Sequence, residues 1–248
     1  MEALNSSGVE LAIHLALSGA LGVLAGLITT VAGMGGGLML VTALAVFWGP
    51  SEALAATALA LWVGNLHRVL LFRRSVSWPV ARAWVLGAFP GAIIGGLLVV
   101  NMSEGFIRAC ILTLTVLALT RVAGWWSWQP PAWALTPAGL GVGTLCGASG
   151  GAGVLSGPLL MASGLSGAAY VATNAVGSVA MHTGRIGAYA SGGMFPTMVL
   201  WSGITLAVCI TLGNLLGVRV RAWLGVQKNT RVEVGVLSGC VALAVLGF

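Results

Sequence analysis

Apolar residues run along the chain in long blocks, and the polar positions gather between the blocks rather than alternating with them. Apolar runs of 17 to 25 residues recur from end to end. That is the length a helix needs to cross the hydrocarbon core of a bilayer. The pattern predicts ten helical segments, at about 10–32, 37–48, 51–74, 79–100, 104–124, 133–148, 153–165, 167–191, 196–220 and 230–247. The second and seventh are short. At 1.5 Å per residue they reach roughly 18 Å, less than a span requires. Short or glycine-interrupted segments of this kind predict discontinuous or re-entrant helices. The expected fold class is therefore all-α, a polytopic membrane protein of about eight to ten helical segments.

Composition narrows the solvent. The chain is 58% hydrophobic and 6% charged, against about 25% charged residues in a soluble domain. So few charges cannot cover a water-facing surface for 248 residues, and the bilayer is the expected partner. The opening stretch MEALNSSGVELAIHLALSG carries Glu2 and Glu10 and no basic residue. It lacks the basic region of a signal peptide and reads as a short tail before the first span. The net charge of +6 comes from loop arginines. No basic patch with interleaved aromatics speaks for nucleic acid.

Those basic residues orient the chain. Arg68, Arg73, Arg74 and Arg82 cluster round the third connection, and Arg219, Arg221, Lys228 and Arg231 round the last. Basic loops stay cytoplasmic. An even number of crossings separates the clusters whether the short segments span or re-enter, so both fall inside. Arg121 falls inside too, and both termini are expected outside, in a bacterial inner membrane.

Two glycine clusters interrupt the apolar pattern. AGMGGGLMLV holds Gly33, Gly35, Gly36 and Gly37, and GASGGAGVLSGPLLM holds Gly150, Gly151 and Gly153. Aligning Gly37 with Gly153 sets Ala56-Thr57-Ala58 on Ala172-Thr173-Asn174 and Gly87 on Gly203. The spacing from last glycine to threonine is 20 residues in both halves. Glycine cluster, short helix and Ala-Thr start recur in order, which predicts a duplication: residues 1–125 as a first repeat and 126–248 as a second. Five segments is an odd number, so the second copy is inverted in the membrane. Inverted repeats with interrupted helices characterise many secondary transporters. Such breaks present helix N-termini and free backbone N–H groups, which favour anions.

GLITTVAGMGGGLMLV and GTLCGASGGAGVLSGPLLM, each followed by an Ala-Thr helix, resemble the TauE/SafE family. FRRSVSWPVARAWVLGAFPGAIIGG and the tail LGNLLGVRVRAWLGVQKNTRVEVGVLSGCVALAVLG are similar to it as well, so the resemblance covers nearly the whole chain. It implies a secondary transporter, an exporter of a small sulfur-containing anion such as sulfite, a sulfonate (sulfoacetate) or thiosulfate. Thr42, where a proline often follows the glycines, and Ala152, in place of a middle glycine, depart from the family pattern.

Candidate site residues follow from both lines. Gly22/Gly26, Gly87/Gly91/Gly95, Gly139/Gly143/Gly147/Gly151 and Gly213/Gly217 are spaced for close helix packing. The clusters Gly33, Gly35, Gly36, Gly37 and Gly150, Gly151, Gly153 are denser than packing needs and are expected to line a substrate site. Arg185 lies on the eighth segment, roughly 10 Å from its outer end, with no acidic residue nearby in sequence. An intramembrane arginine is a functional candidate by default, and its planar guanidinium suits a sulfonate or sulfite oxygen pair. The alternative is that it snorkels outward or satisfies the carbonyls of a broken helix. His182 shares its face and is either a substrate ligand or a hydrogen-bonded core residue. Thr57, Asn65, Ser149, Thr173 and Asn174 are neutral donors able to ring an anion, or else caps and interhelical bonds. Arg108 follows Glu104 by four residues, an ion pair on a helix. His67 and Arg68 read as positive-inside residues, and His14 as a packing residue.

Other chemistry is absent from the pattern. The sequence has no aspartate, so a Ser/His/Asp set cannot form, and His and Cys lack metal-ligand spacing. Cys110, Cys146, Cys209 and Cys240 are scattered in apolar segments. They read as inert thiols, with Cys146 placed to line a cavity beside the second break. No enzyme, cofactor or metal is expected. Rival readings are a channel or cation-coupled importer on the same fold, or a membrane partner subunit with no transport of its own. No mid-membrane carboxylate offers itself for proton or sodium coupling. An anion exporter needs none, because the inside-negative field drives anions out.

Overall fold

The computed structural model describes residues 2–122, 125, 131–151 and 153–247. Among them the long elements are all α-helices: α1 (Glu2–Ala32), α2 (Gly36–Trp48), α3 (Pro50–Phe72), α4 (Trp78–Val100), α5 (Glu104–Val122), α6 (Leu135–Ser149), α7 (Gly153–Ala162), α8 (Gly167–Ser191) and α9 (Thr197–Gly247). Prolines open α3 and α4 within their first two positions, where the missing N–H costs nothing. Three stretches, Pro50–Ser75, Trp78–Val100 and Thr197–Trp223, are long and apolar enough to cross a membrane. α2 and α7 are short, as their segments predict.

The structure differs from the expected segmentation at the end of the chain. The ninth and tenth segments form one continuous helix, α9, of 51 residues. Between them lies RAWLGVQKN, which has no proline and one glycine, so no backbone chemistry stops the helix. Its length is about 77 Å, well beyond a bilayer core, and an unbroken helix does not return its far end across the membrane. The side chains of His14, Arg121, Lys228, Arg231 and Cys240, and Ala152 altogether, lie outside the described residues.

Helix pairing is reciprocal between the halves. α1 lies along α9 and α6 along α4, while α3 packs on α8 and α9, and α8 on α4. The small-residue ladders make these contacts. A Cβ on Gly26 would overlap the carbonyl of Ile210, and one on Gly213 that of Val23. Across α4 and α6, a Cβ on Gly95 would overlap the Thr144 carbonyl, and one on Gly139 would sit 2.6 Å from the Trp84 carbonyl. Backbones this close gain dispersion contacts that lipid cannot match. Polar bonds fasten the same seams: Thr30 Oγ1 donates to Asn214 Oδ1 (2.8 Å) and Asn214 Nδ2 to the Gly64 carbonyl (2.8 Å). Large apolar side chains such as Leu70, Leu86, Val116 and Ile204 face outward, which suits lipid. Exposed Trp78, Trp133 and Trp201 lie near helix starts, and exposed Trp223 closes the apolar Thr197–Trp223 stretch of α9, the places of an interfacial aromatic belt.

Candidate functional site

The two glycine clusters are helix breaks. α1 stops at Ala32 and α2 starts at Gly36; α6 stops at Ser149 and α7 starts at Gly153. The turn between α1 and α2 puts Gly35 at φ +91°, and the turn after α6 puts Gly150 at φ +83°. Side-chain-bearing residues are disfavoured there by about 1–2 kcal/mol. Gly35 is also the N-cap of α2 and offers no side-chain cap. The first N–H groups of α2 are therefore left without an intrahelical partner.

The breaks meet. A Cβ on Gly151 would lie 2.7 Å from Leu38 Cα, so the second break rests on the first turn of α2. Asn174 of α8 fastens them: its Nδ2 donates to the Gly33 carbonyl (3.0 Å), and its Oδ1 accepts from Ser156 Oγ of α7 (2.7 Å). Between the breaks lies a cavity of about 30 Å³. A water needs about 10–15 Å³ on this scale, so the space holds about two waters or a compact ion.

The cavity lining sorts the expected residues. Gly33, Gly35, Gly37, Gly150, Gly151 and Gly153 line it, with Asn174 and His182 from α8 and Cys146 from the end of α6. The other candidates lie elsewhere. Gly36 packs against α1, where a Cβ would overlap Thr29 Oγ1 and the Ala25 carbonyl. Thr57 donates to the Ala53 carbonyl (2.6 Å) and Ser149 to the Leu145 carbonyl (2.6 Å), each one turn back on its own helix. Thr173 accepts from the Ser77 N–H (3.0 Å), tying α8 to the start of α4.

Arg185 sits behind the wall. It is 0% exposed and does not line the cavity. Its Nη1 donates to the Gly150 carbonyl (3.2 Å) and contacts His182 Nδ1 (3.0 Å), and its Nη2 donates to the Leu54 carbonyl (2.9 Å). Tyr189 adds a bond to the Gly147 carbonyl (2.6 Å) and accepts one from Arg185 Nε (3.4 Å). Together they cover the carbonyl end of α6, the carbonyl-satisfying role open to Arg185 from the sequence.

Arg68 holds the position toward the cavity instead. It is 2% exposed and lines the cavity with its neighbour Asn65. Its Nη1 donates to the Thr29 carbonyl (3.0 Å) and its Nη2 to Asn65 Oδ1. Arg221 donates to the Thr30 carbonyl (3.1 Å), so arginines also cover the carbonyl end of α1. Two of the five guanidinium N–H donors of Arg68 are thus engaged by protein. No described carboxylate pairs with it. On its own helix the acid is Glu52, about 24 Å away along the axis. A buried charge without a counter-charge is costly.

The polar lining residues Thr29, Arg68 and Ser178 are not among the candidates the sequence offers. Ser178 stands one turn from both Asn174 and His182, and all three line the cavity. Their spacing of four on one helix face is the signal that finds it. Arg68 was hidden among Arg73, Arg74 and Arg82, and its spacing of three from Asn65 is the only local hint.

The fold defines a class: all-helical membrane proteins with broken helices. The chain belongs to the sulfite exporter TauE/SafE family, whose family model matches residues 18–245. No curated protein and no solved structure matches it.

Proposed function

We propose that this protein exports a small sulfur-containing oxyanion, sulfite in the first place, across a bacterial inner membrane. The observation that carries the reading is Arg68: buried, without a carboxylate partner among the described residues, and lining the cavity where two helix breaks meet. Free N–H groups at the start of α2 add partial positive charge at the same place. The bound anion then supplies the counter-charge that the protein omits. Among the described residues no Asp or Glu lines this cavity, and a cation-coupled importer would more often place one there.

Transport works by rocking two inverted repeats about the cavity. Support comes from the reciprocal packing, in which the first helix of each half lies along the fourth of the other. The loop of Arg73 and Arg74 faces the cytoplasm and the N-terminus lies outside. With α9 continuous, the C-terminal end stays on the basic side, the reverse of what a separate tenth span gives.

The test is binding followed by flux. Purified protein is screened by thermal shift against sulfite, thiosulfate, sulfoacetate, isethionate and taurine, then reconstituted for efflux. The expected result is stabilisation by sulfite, lost in Arg68→Gln, and saturable efflux that responds to an imposed potential. A flat response to all five anions overturns the reading. Flux that ignores the potential and tracks a proton gradient overturns the coupling.

A further inference from the structure

The two central arginines are in unlike positions, and the difference fixes a proton. Arg185 Nη1 lies 3.0 Å from His182 Nδ1. Arginine has donors and no acceptor, so Nδ1 must be the acceptor and carries no hydrogen. A neutral imidazole then has its proton on Nε2. That nitrogen has no hydrogen-bond partner among the described residues, while the ring itself lines the cavity and is 4% exposed.

Ser178 lies one turn away on α8. Its side chain is 5% exposed, lines the same cavity, and has no hydrogen-bond partner among the described residues. Asn174, the third residue of the stripe, is committed to Gly33 and Ser156. The α8 wall thus presents two unsatisfied polar groups, an imidazole Nε2–H and a hydroxyl, to a space bounded by two helix N-termini. Both groups open onto the cavity, where the oxygens of one oxyanion can accept from both.

We infer that Arg185 is a positioning residue that acts through His182, holding its ring as an Nε2–H donor, so that His182 and Ser178 form a neutral donor pair for the substrate oxygens. This rests on the anion-site reading above and deepens it. Arg68 brings the charge to the cavity, and α8 contributes hydrogen bonds without charge. A ligand of acceptor oxygens satisfies both sides. Ammonium or an alkylammonium, which only donates, satisfies neither.

The test reads the tautomer directly. Full-length protein carrying His14→Gln and His67→Gln is labelled with ¹⁵N-histidine, leaving His182 as the single histidine. The expected ring spectrum is bare Nδ1 and protonated Nε2, with the Nε2 signal moving when sulfite is added. Arg185→Gln, whose amide still donates to Nδ1, keeps this tautomer, and Arg185→Leu gives a tautomer mixture. Ser178→Ala and His182→Leu weaken sulfite binding by about 10- to 100-fold, as loss of a hydrogen bond to a charged group does. A proton on Nδ1 in the ligand-free spectrum overturns the inference whatever the variants do. Sulfite binding that leaves Nε2 unmoved overturns it while sparing the transport reading. No sulfite binding by the unmodified protein counts against the transport reading and against the donor pair together.

Discussion

Arg68 and Arg185 are both buried and both bond to backbone carbonyls, yet they answer different questions. Arg185 covers the carbonyl end of α6 from behind the cavity wall, and Arg68 stands on the cavity with donors to spare. Arg68→Lys is expected to keep a point charge and lose the fork that reaches both Thr29 and Asn65. Sulfite affinity measured by titration calorimetry should fall about tenfold or more with the protein still folded, since a charged hydrogen bond is worth about 1.5–3 kcal/mol. Asn214 provides the contrasting case. It joins α1, α3 and α9 through Thr30 and Gly64, away from the cavity lining. Asn214→Leu should cost about 0.5–2 kcal/mol, the range for interhelical hydrogen bonds in membranes, seen as a lower unfolding midpoint in detergent with sulfite affinity unchanged. Only half of this contrast was legible in the sequence. Arg185 stood out because no charge surrounds it, and Arg68 was masked by a basic loop. It is tied to α1 by its bond to the Thr29 carbonyl, a contact between residues 39 positions apart that local pattern does not encode.

At the scale of elements, glycine does two jobs that composition alone runs together. Along the α1–α9 and α4–α6 seams it admits a neighbouring backbone; at the breaks it turns the chain. Spacing told most of them apart, since four-residue ladders mark seams and dense clusters mark breaks, but Gly36, inside a cluster, packs on α1, and Gly151, four residues after Gly147, lies at a break. Gly26→Ala and Gly95→Ala drive a Cβ into the Ile210 and Thr144 carbonyls. Each should destabilise by about 1–3 kcal/mol, because backbone cannot yield as a side chain does. Gly141→Ala meets nothing within 4 Å. It is expected to be neutral or to stabilise by up to about 1 kcal/mol through helix propensity, so a set of thermal midpoints distinguishes seam from surface. The joining of the last two segments was not legible, because a polar charged stretch reads as a loop between spans even where a helix passes through it unbroken.

At the scale of the whole molecule, α3 and α8 carry most of the polar lining: Asn65 and Arg68 on one, Asn174, Ser178 and His182 on the other. Each follows a short helix that starts at a glycine break. If the halves are inverted copies, the ends of α3 and α8 open on opposite faces of the membrane. Charge agrees, since the turn after α3 holds Arg73 and Arg74, whereas GGMFP after α8 holds none. Labelling with a membrane-impermeant thiol reagent decides the matter, in a background with Cys110, Cys146, Cys209 and Cys240 replaced by serine. Ser75→Cys should react only from the cytoplasmic side and Ser191→Cys only from outside. Reaction of both from one side removes the inversion, and with it a rocking mechanism built on two inverted repeats. Reaction from opposite sides leaves the cavity between the breaks as the pivot. The inside-negative potential then gives the direction, since an anion held by Arg68 leaves toward the face where Ser191 reacts.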